Sequence, residues 1–457
     1  MARGRHAGAT GQEEALTHRN VLAIAVPIIF ANVTTPLIGI VDTAVLGQLG
    51  DAHYIGAVAI GAIIFTMVYW AFGFLRMGTT GLTAQAEGAR NDAEVVAVLT
   101  RGLLLAGVAG TVLIALQWPI GKTAFALLQG TDQVETEAST YFYIRIWSAP
   151  FALANYAVLG WFIGIGRAGT AMTLQLLLNG TNAALDTLFV LGLGMGVEGV
   201  AIGTLMAEMS AAVAGAIIAW REIAARGAPV ERRRMMNPVA LKRMLSVNGD
   251  IMIRTLSLMF AFVWFTAQSA TGGDTVLAAN AILMNMVSFA AYFLDGFAFA
   301  GETFVGQAVG AGRRKRFRES VVMTSLWAAA FSFALSAVFW FAGGAIIDAL
   351  TINAEVRETA RVYLAWAAAL PFISFPCFQL DGIFIGATRS ADMRNMAVLS
   401  SVIYLGAWAV LTPVWGNHGL WLALVILNVT RGLTLGSRYG AMERDLFASG
   451  GGSFKTA

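Results

Sequence analysis

Seven acids lie inside long apolar stretches of this sequence: Asp42, Asp186, Glu208, Asp250, Asp295, Glu302 and Asp381. An ionisable group at the centre of a membrane helix costs about 2.5–3.5 kcal/mol on insertion scales, so each is a candidate for function. Two stand out by depth. Asp42 sits about five residues, and Asp186 about seven, before the same-side ends of their apolar runs, which is roughly 7–11 Å at 1.5 Å per residue. Asn182 precedes Asp186 by four residues and shares its helix face. Thr204 reaches a similar depth in the next run. Two carboxylates, an amide and a hydroxyl at one level offer oxygen ligands for a hard cation. A carboxyl held out of water can equally take up and release a proton. The plainer reading has each Asp bonded to nearby backbone.

Other polar groups are more ambiguous. Pro27 and Pro36 fall within the same apolar run as Asp42. Proline removes a backbone hydrogen bond and kinks a helix, so this helix could bend or straighten with the charge on Asp42; a static kink is the alternative. Asp250 and Arg254 have the four-residue spacing of an intrahelical ion pair. Asp295, Glu302 and Asp381 could pair with Arg254 or form a second cation site. Enzyme signatures are weak. His6, His18, His53 and His418 fall in tails or loops without ligand spacing, Cys377 is alone, and no nucleotide-binding or HExxH pattern occurs. No cofactor is expected, and transport would have to run on an ion gradient.

The elements that must hold these groups follow from composition. Of 457 residues, 57% are hydrophobic and 12% charged, against about 25% charged in soluble domains. A span needs about 20 apolar residues, so a dozen are available. Twelve apolar runs occur, at 21–46, 55–77, 95–117, 138–162, 173–193, 199–220, 246–268, 276–302, 320–342, 358–386, 396–413 and 418–437. Of 30 basic residues, 22 fall in alternate loops and tails, including RRKRFR at 313–318. That bias places both termini in the cytoplasm and makes nucleic-acid binding the weaker explanation of the basic loops.

A shift of 222 residues aligns the chain with itself. Gln85-Ala86-x-Gly88-Ala89 meets Gln307-Ala308-x-Gly310-Ala311, Gly160-x-Phe162-Ile163-Gly164 meets Gly382-x-Phe384-Ile385-Gly386, and Tyr141 meets Tyr363. The chain therefore reads as two parallel six-span copies, an arrangement of transporters. The expected segments are a cytoplasmic tail (1–20), a first lobe (21–220), a linker with Gly227, Pro229 and Pro238 (221–245), a second lobe (246–437) and a cytoplasmic tail (438–457). The paired small-xxx-small motifs read as helix packing. Asp42 faces Trp264 under the shift, and Asp186 faces Trp408, so these acids are not part of the shared scaffold.

The stretches VDTAVLGQLGD (41–51), LDGFAFAGETFVGQAVGA (294–311) and DGIFIGATRSADMRN (381–395) resemble the multidrug and toxic compound extrusion (MATE) family, and its DinF branch in particular. The likeness runs from about residue 17 to 440. It implies an all-α membrane protein of twelve helices, in two lobes around a central cavity of alternating access. It implies export of organic, often cationic and amphiphilic, compounds in exchange for H+ or Na+. It further implies that Asp42, Asn182, Asp186 and Thr204 form the coupling site and that Pro27 is the hinge. A possible polar network in the second lobe comprises Asp250, Arg254, Asp295, Glu302 and Asp381. The expected setting is the bacterial inner membrane, as a monomer whose partners are small organic substrates and the bilayer. A lipid-linked flippase is the first alternative and a membrane-embedded enzyme the second.

Overall fold

The computed structural model describes residues 16–48, 51–128, 130–227 and 231–448. Among these there is no strand. The first lobe comprises α1 (His18–Gly47), α2 (His53–Gly88, with a turn at Phe72–Gly73), α3 (Asp92–Ala115), α4 (Asp132–Gly164), α5 (Ala168–Thr187, running into a π turn at Leu188–Gly192) and α6 (Val197–Arg226). The second comprises α7 (Pro238–Thr271), α8 (Asp274–Gly310), α9 (Arg314–Leu350), α10 (Ala354–Gly386), α11 (Ser390–Trp415) and α12 (Asn417–Ala448). Eleven of the twelve are long and apolar enough to cross a membrane; α5 is the exception. It carries Gln175, Asn179, Asn182 and Asp186, so a helix that bears candidate site residues is the one whose polar load weakens its span signal.

Local sequence sets the helix ends. Thr17, Asn91, Thr131, Asn237 and Asn353 each accept a hydrogen bond from a backbone N–H two or three residues on, the preferred N-cap chemistry. Pro238 follows Asn237 at the first helical position, where its missing N–H costs nothing. Left-handed residues end several helices, at Arg90 and Gly312, Gly166 and Thr388, and Gly194 and Gly416. Each pair is separated by 222 residues, so the internal repeat is written into the backbone as well as the side chains.

Lipid tails are as apolar as leucine, so close packing rather than the hydrophobic effect joins such helices. Glycine supplies the closeness. Gly160 of α4 lies on the backbone of Arg76 in α2, and its repeat mate Gly382 of α10 lies on the backbone of Ala298 in α8. Between lobes, Gly88 abuts the backbone of Gln307, Gly310 that of Gln85, and Gly81 the carbonyl of Ile385. Gln85 Nε2 donates to Gly386 O (3.0 Å) and Gln307 Nε2 to Gly164 O (3.2 Å), again as repeat mates. Thr303 Oγ1 donates to Ile163 O (3.0 Å). One apolar core spans the lobes here, joining Trp161 and Phe162 to Phe297 and Phe299. Elsewhere each lobe has its own core, around Phe65, Tyr141 and Phe142 in the first and Phe265, Tyr404 and Trp421 in the second. The lobes are therefore sealed at the end bearing the basic loops.

Between the lobes, α6 ends at Arg226, followed by left-handed Gly227, and a short helix, Arg232–Met235, precedes α7; Pro229 lies outside the described residues. Arg101, almost fully buried in α3, fixes this connection. It donates to Arg234 O (3.0 Å) and Met235 O (3.2 Å) and pairs with Glu94 (2.8 Å). At the other end of the chain, α12 remains helical to Ala448.

Candidate functional site

Three helices of the first lobe bring Asp42, Asn182, Asp186 and Thr204 together. α5 packs between α1 and α6, and all four side chains are at least nine-tenths buried. Asn182 Nδ2 donates to Asp186 Oδ2 (2.9 Å) and to Thr204 Oγ1 (3.1 Å). The Thr204 hydroxyl donates back to Val200 O (3.0 Å). The carboxyls of Asp42 and Asp186 lie within hydrogen-bonding reach of each other. Asp186 comes so close to α6 that a Cβ at Gly203 would collide with its Oδ1. Asp42 Oδ1, Asn182 Oδ1 and Asp186 Oδ1 are buried without a hydrogen-bond partner.

Unpartnered buried acceptors are costly, and neighbouring carboxylates repel when both are charged. A proton between them, or a small oxygen-loving cation, relieves both penalties at once. The chemistry of this set is acceptor-rich and lacks a nucleophile–base pair, so it suits binding and release of a cation.

Sequence reasoning gave no role to several neighbours. Arg145 of α4 is the cation whose charge acts on Asp42, Asp186 and Glu208. Its guanidinium donates to Tyr141 and lies over the Phe65 ring, 4.6 Å from the centroid. Glu208 is held by Asn155 Nδ2 (2.8 Å). On α5, Gln175 donates to Asn179 (2.9 Å), which donates to Thr34 Oγ1 of α1 (2.8 Å). The signal for this ladder was present: Gln175, Asn179, Asn182 and Asp186 recur at helical spacing on one face. Pro27 and Pro36 both lie inside α1, which stays helical throughout.

In the second lobe the expected Asp250–Arg254 pair is not formed. Asp250 accepts from Arg394 Nη1 (2.6 Å) and Ser390 Oγ (2.8 Å) at the start of α11, where a helix N-terminus favours an anion. Arg254 turns instead to Asp381 of α10, which also accepts from Arg431 of α12 (2.6 Å). Glu302 faces Arg76 of the first lobe at 3.5 Å, and the Arg76 guanidinium lies 3.6 Å from the centroid of the Phe299 ring. Asp295 lies in the field of Arg76, Arg254 and Arg431. Three acids are thus matched by three arginines.

The repeat mates of Asp42 and Asp186 make the contrast plain. Trp264 and Trp408, which stand where Asp42 and Asp186 would be, touch edge to face with centroids 4.9 Å apart. The carboxyl pair of one lobe is an aromatic pair in the other. Nearby, Asn155–Glu208 in the first lobe corresponds, with a two-residue gap in the repeat before Gly199 and Gly419, to Cys377–Asn428 in the second, a weak thiol contact of 3.6 Å.

The MatE family profile matches residues 27–188 and 251–406, one stretch in each lobe. The chain is 39% identical over 433 residues to DNA damage-inducible protein F of Escherichia coli, covering 93% of this chain and 92% of that protein. It is 28% identical over 457 residues to the probable multidrug resistance protein NorM of Deinococcus radiodurans, covering 92% and 94%. Its fold is similar to the solved outward-facing structure of a multidrug resistance MATE family transporter of the MOP superfamily. That likeness has a TM-score of 0.84 and 19% identity, and covers 93% and 97% of the two chains.

Proposed function

From the premise that this chain belongs to the MatE family of membrane transporters, we propose that it is a secondary active multidrug antiporter. It exports organic, often cationic and amphiphilic, compounds in exchange for H+ or Na+. The chain is a multi-pass transporter, not an enzyme. In our reading it resides in the bacterial inner membrane with both termini cytoplasmic, acts as a monomer and needs no cofactor.

The observation that carries the coupling site is the set of three buried, unpartnered oxygens on Asp42, Asn182 and Asp186, set against an aromatic pair at the matching place in the other lobe. Deprotonated, the acids repel each other and attract a cationic substrate into the first lobe. Entry of H+ or Na+ from outside neutralises them, and the charge that held the substrate is lost. α1 carries Asp42 and is bonded to α5 through Thr34 and Asn179, so a change at the acids is felt along α1, where Pro27 supplies the hinge. A flippase for anionic lipid-linked precursors would need unmatched cations in the cavity. Arg76, Arg254 and Arg431 each have an acid partner, which favours the antiporter.

The test is Asp42→Asn in an efflux-deficient cell. We expect the variant to insert at normal levels and to lose gradient-driven efflux by at least about tenfold, equivalent to about 1.4 kcal/mol of lost coupling. Efflux at the wild-type rate would overturn the assignment.

A further inference from the structure

Two adjoining clefts of about 700 and 210 Å3 open on the face of the basic loops, where α1 and the ends of α2 and α4 meet α8 and the start of α9. Arg19, Arg90 and Arg313 stand on their walls, all exposed, and none makes an ion pair among the described residues. One acid, Glu87, shares these walls, and it is already held by Arg226 at 2.6 Å. The basic-loop rule explains why arginines lie on this face but not why three unpaired ones converge on a cleft between lobes.

Arg90 sharpens the point. It adopts the left-handed region (φ 53°), where its repeat mate is Gly312 (φ 66°). A glycine would be unstrained there, so the guanidinium is kept against backbone preference. From Arg19 an exposed stripe runs up one face of α1 through Ala23, Val26 and Phe30, away from the cleft into the apolar zone.

We propose that this cleft binds the phosphate headgroup of an anionic phospholipid from the leaflet facing the basic loops, with acyl chains along the α1 stripe. Basic pockets between membrane helices suit such headgroups, and the stripe selects a lipid over a free anion. The bound lipid touches both lobes, so it holds their basic ends together. The proposal does not depend on the coupling ion or the transported substrate.

The test titrates the purified full-length protein in neutral detergent with dioctanoylphosphatidylglycerol, dioctanoylphosphatidylcholine or inorganic phosphate, reading Tm. Phosphatidylglycerol is expected to raise Tm saturably, while the other two leave it unchanged. Arg90→Gly relieves the strained backbone, so its basal Tm is expected to match or exceed the wild type while its Kd for phosphatidylglycerol rises severalfold. Arg19→Gln/Arg90→Gly/Arg313→Gln is expected to raise that Kd at least about tenfold. An equal shift with phosphatidylcholine or phosphate overturns the proposal, as does an unchanged Kd in Arg90→Gly, which decides alone if the triple variant does not fold.

Discussion

At the scale of single residues, the proposed coupling site depends on small groups that leave room for oxygen. Gly203 is one: any Cβ there meets Asp186 Oδ1. Gly203→Ala is expected to push the carboxyl aside and cut gradient-driven transport at least about fivefold, the worth of one ordinary hydrogen bond near 1 kcal/mol. Asn182→Ala removes donors to Asp186 and Thr204 together. Bonds to charged groups are worth about 1.5–3 kcal/mol, so coupling-ion affinity, measured by calorimetry on the purified protein, is expected to fall about tenfold or more. Unchanged affinity would mean that Asn182 only packs. The acids themselves were legible in the sequence, because an Asp in an apolar run is rare and both broke the repeat. The place of Arg145 and Tyr141 beside them was not, since spacing along α4 does not say which groups on other helices it faces. The Asp250–Arg254 spacing misled for a related reason. Spacing along one helix says which groups could meet, whereas partners on α10 and α11 decide which do.

At the scale of helices, the seam is a device of repeated glycines. Gly88 and Gly310 each let one lobe's backbone lie on the other's, and a carbonyl cannot yield as a side chain tip can. Gly88→Val is therefore expected to hold the basic ends apart. A cysteine placed at Thr303 in that variant should react faster with a membrane-impermeant thiol reagent applied from the basic-loop side. Equal reactivity in both proteins would show that the seam closes without this contact. The packing within each lobe was legible as matched Gly-x-x-x-Gly motifs, which do lie on helices of their own lobe. That the glycines of the Gln-Ala-x-Gly-Ala pair bridge the lobes was not, because a sequence shift reveals equivalence and not contact. The polar face of α5 shows the other limit. Apolarity finds spans, and the helix that carries the site is the one whose polar load weakens that signal.

At the scale of the whole molecule, two copies of one scaffold carry different electrostatics. The first lobe holds acids that outnumber their single arginine, and the second pairs Asp381 and Glu302 with arginines and sets Trp264 against Trp408. Arg76 and Glu302 form an ion pair across the lobes. A cycle of Arg76→Ala, Glu302→Ala and the double variant is expected to give a coupling energy of about 0.5–3 kcal/mol in thermal unfolding; purely additive effects would remove the pair from the seam. Our central proposal, that the first lobe reads the gradient, rests on this asymmetry. Its most direct test is substrate transport in proteoliposomes with pH and Na+ gradients imposed separately. For the wild type, one gradient is predicted to drive transport. Asp42→Asn and Asp186→Asn are predicted to abolish that dependence, while Glu302→Gln, in the other lobe, keeps it. Gradient-driven transport that survives in both first-lobe variants, or that is lost only with Glu302, would contradict the account.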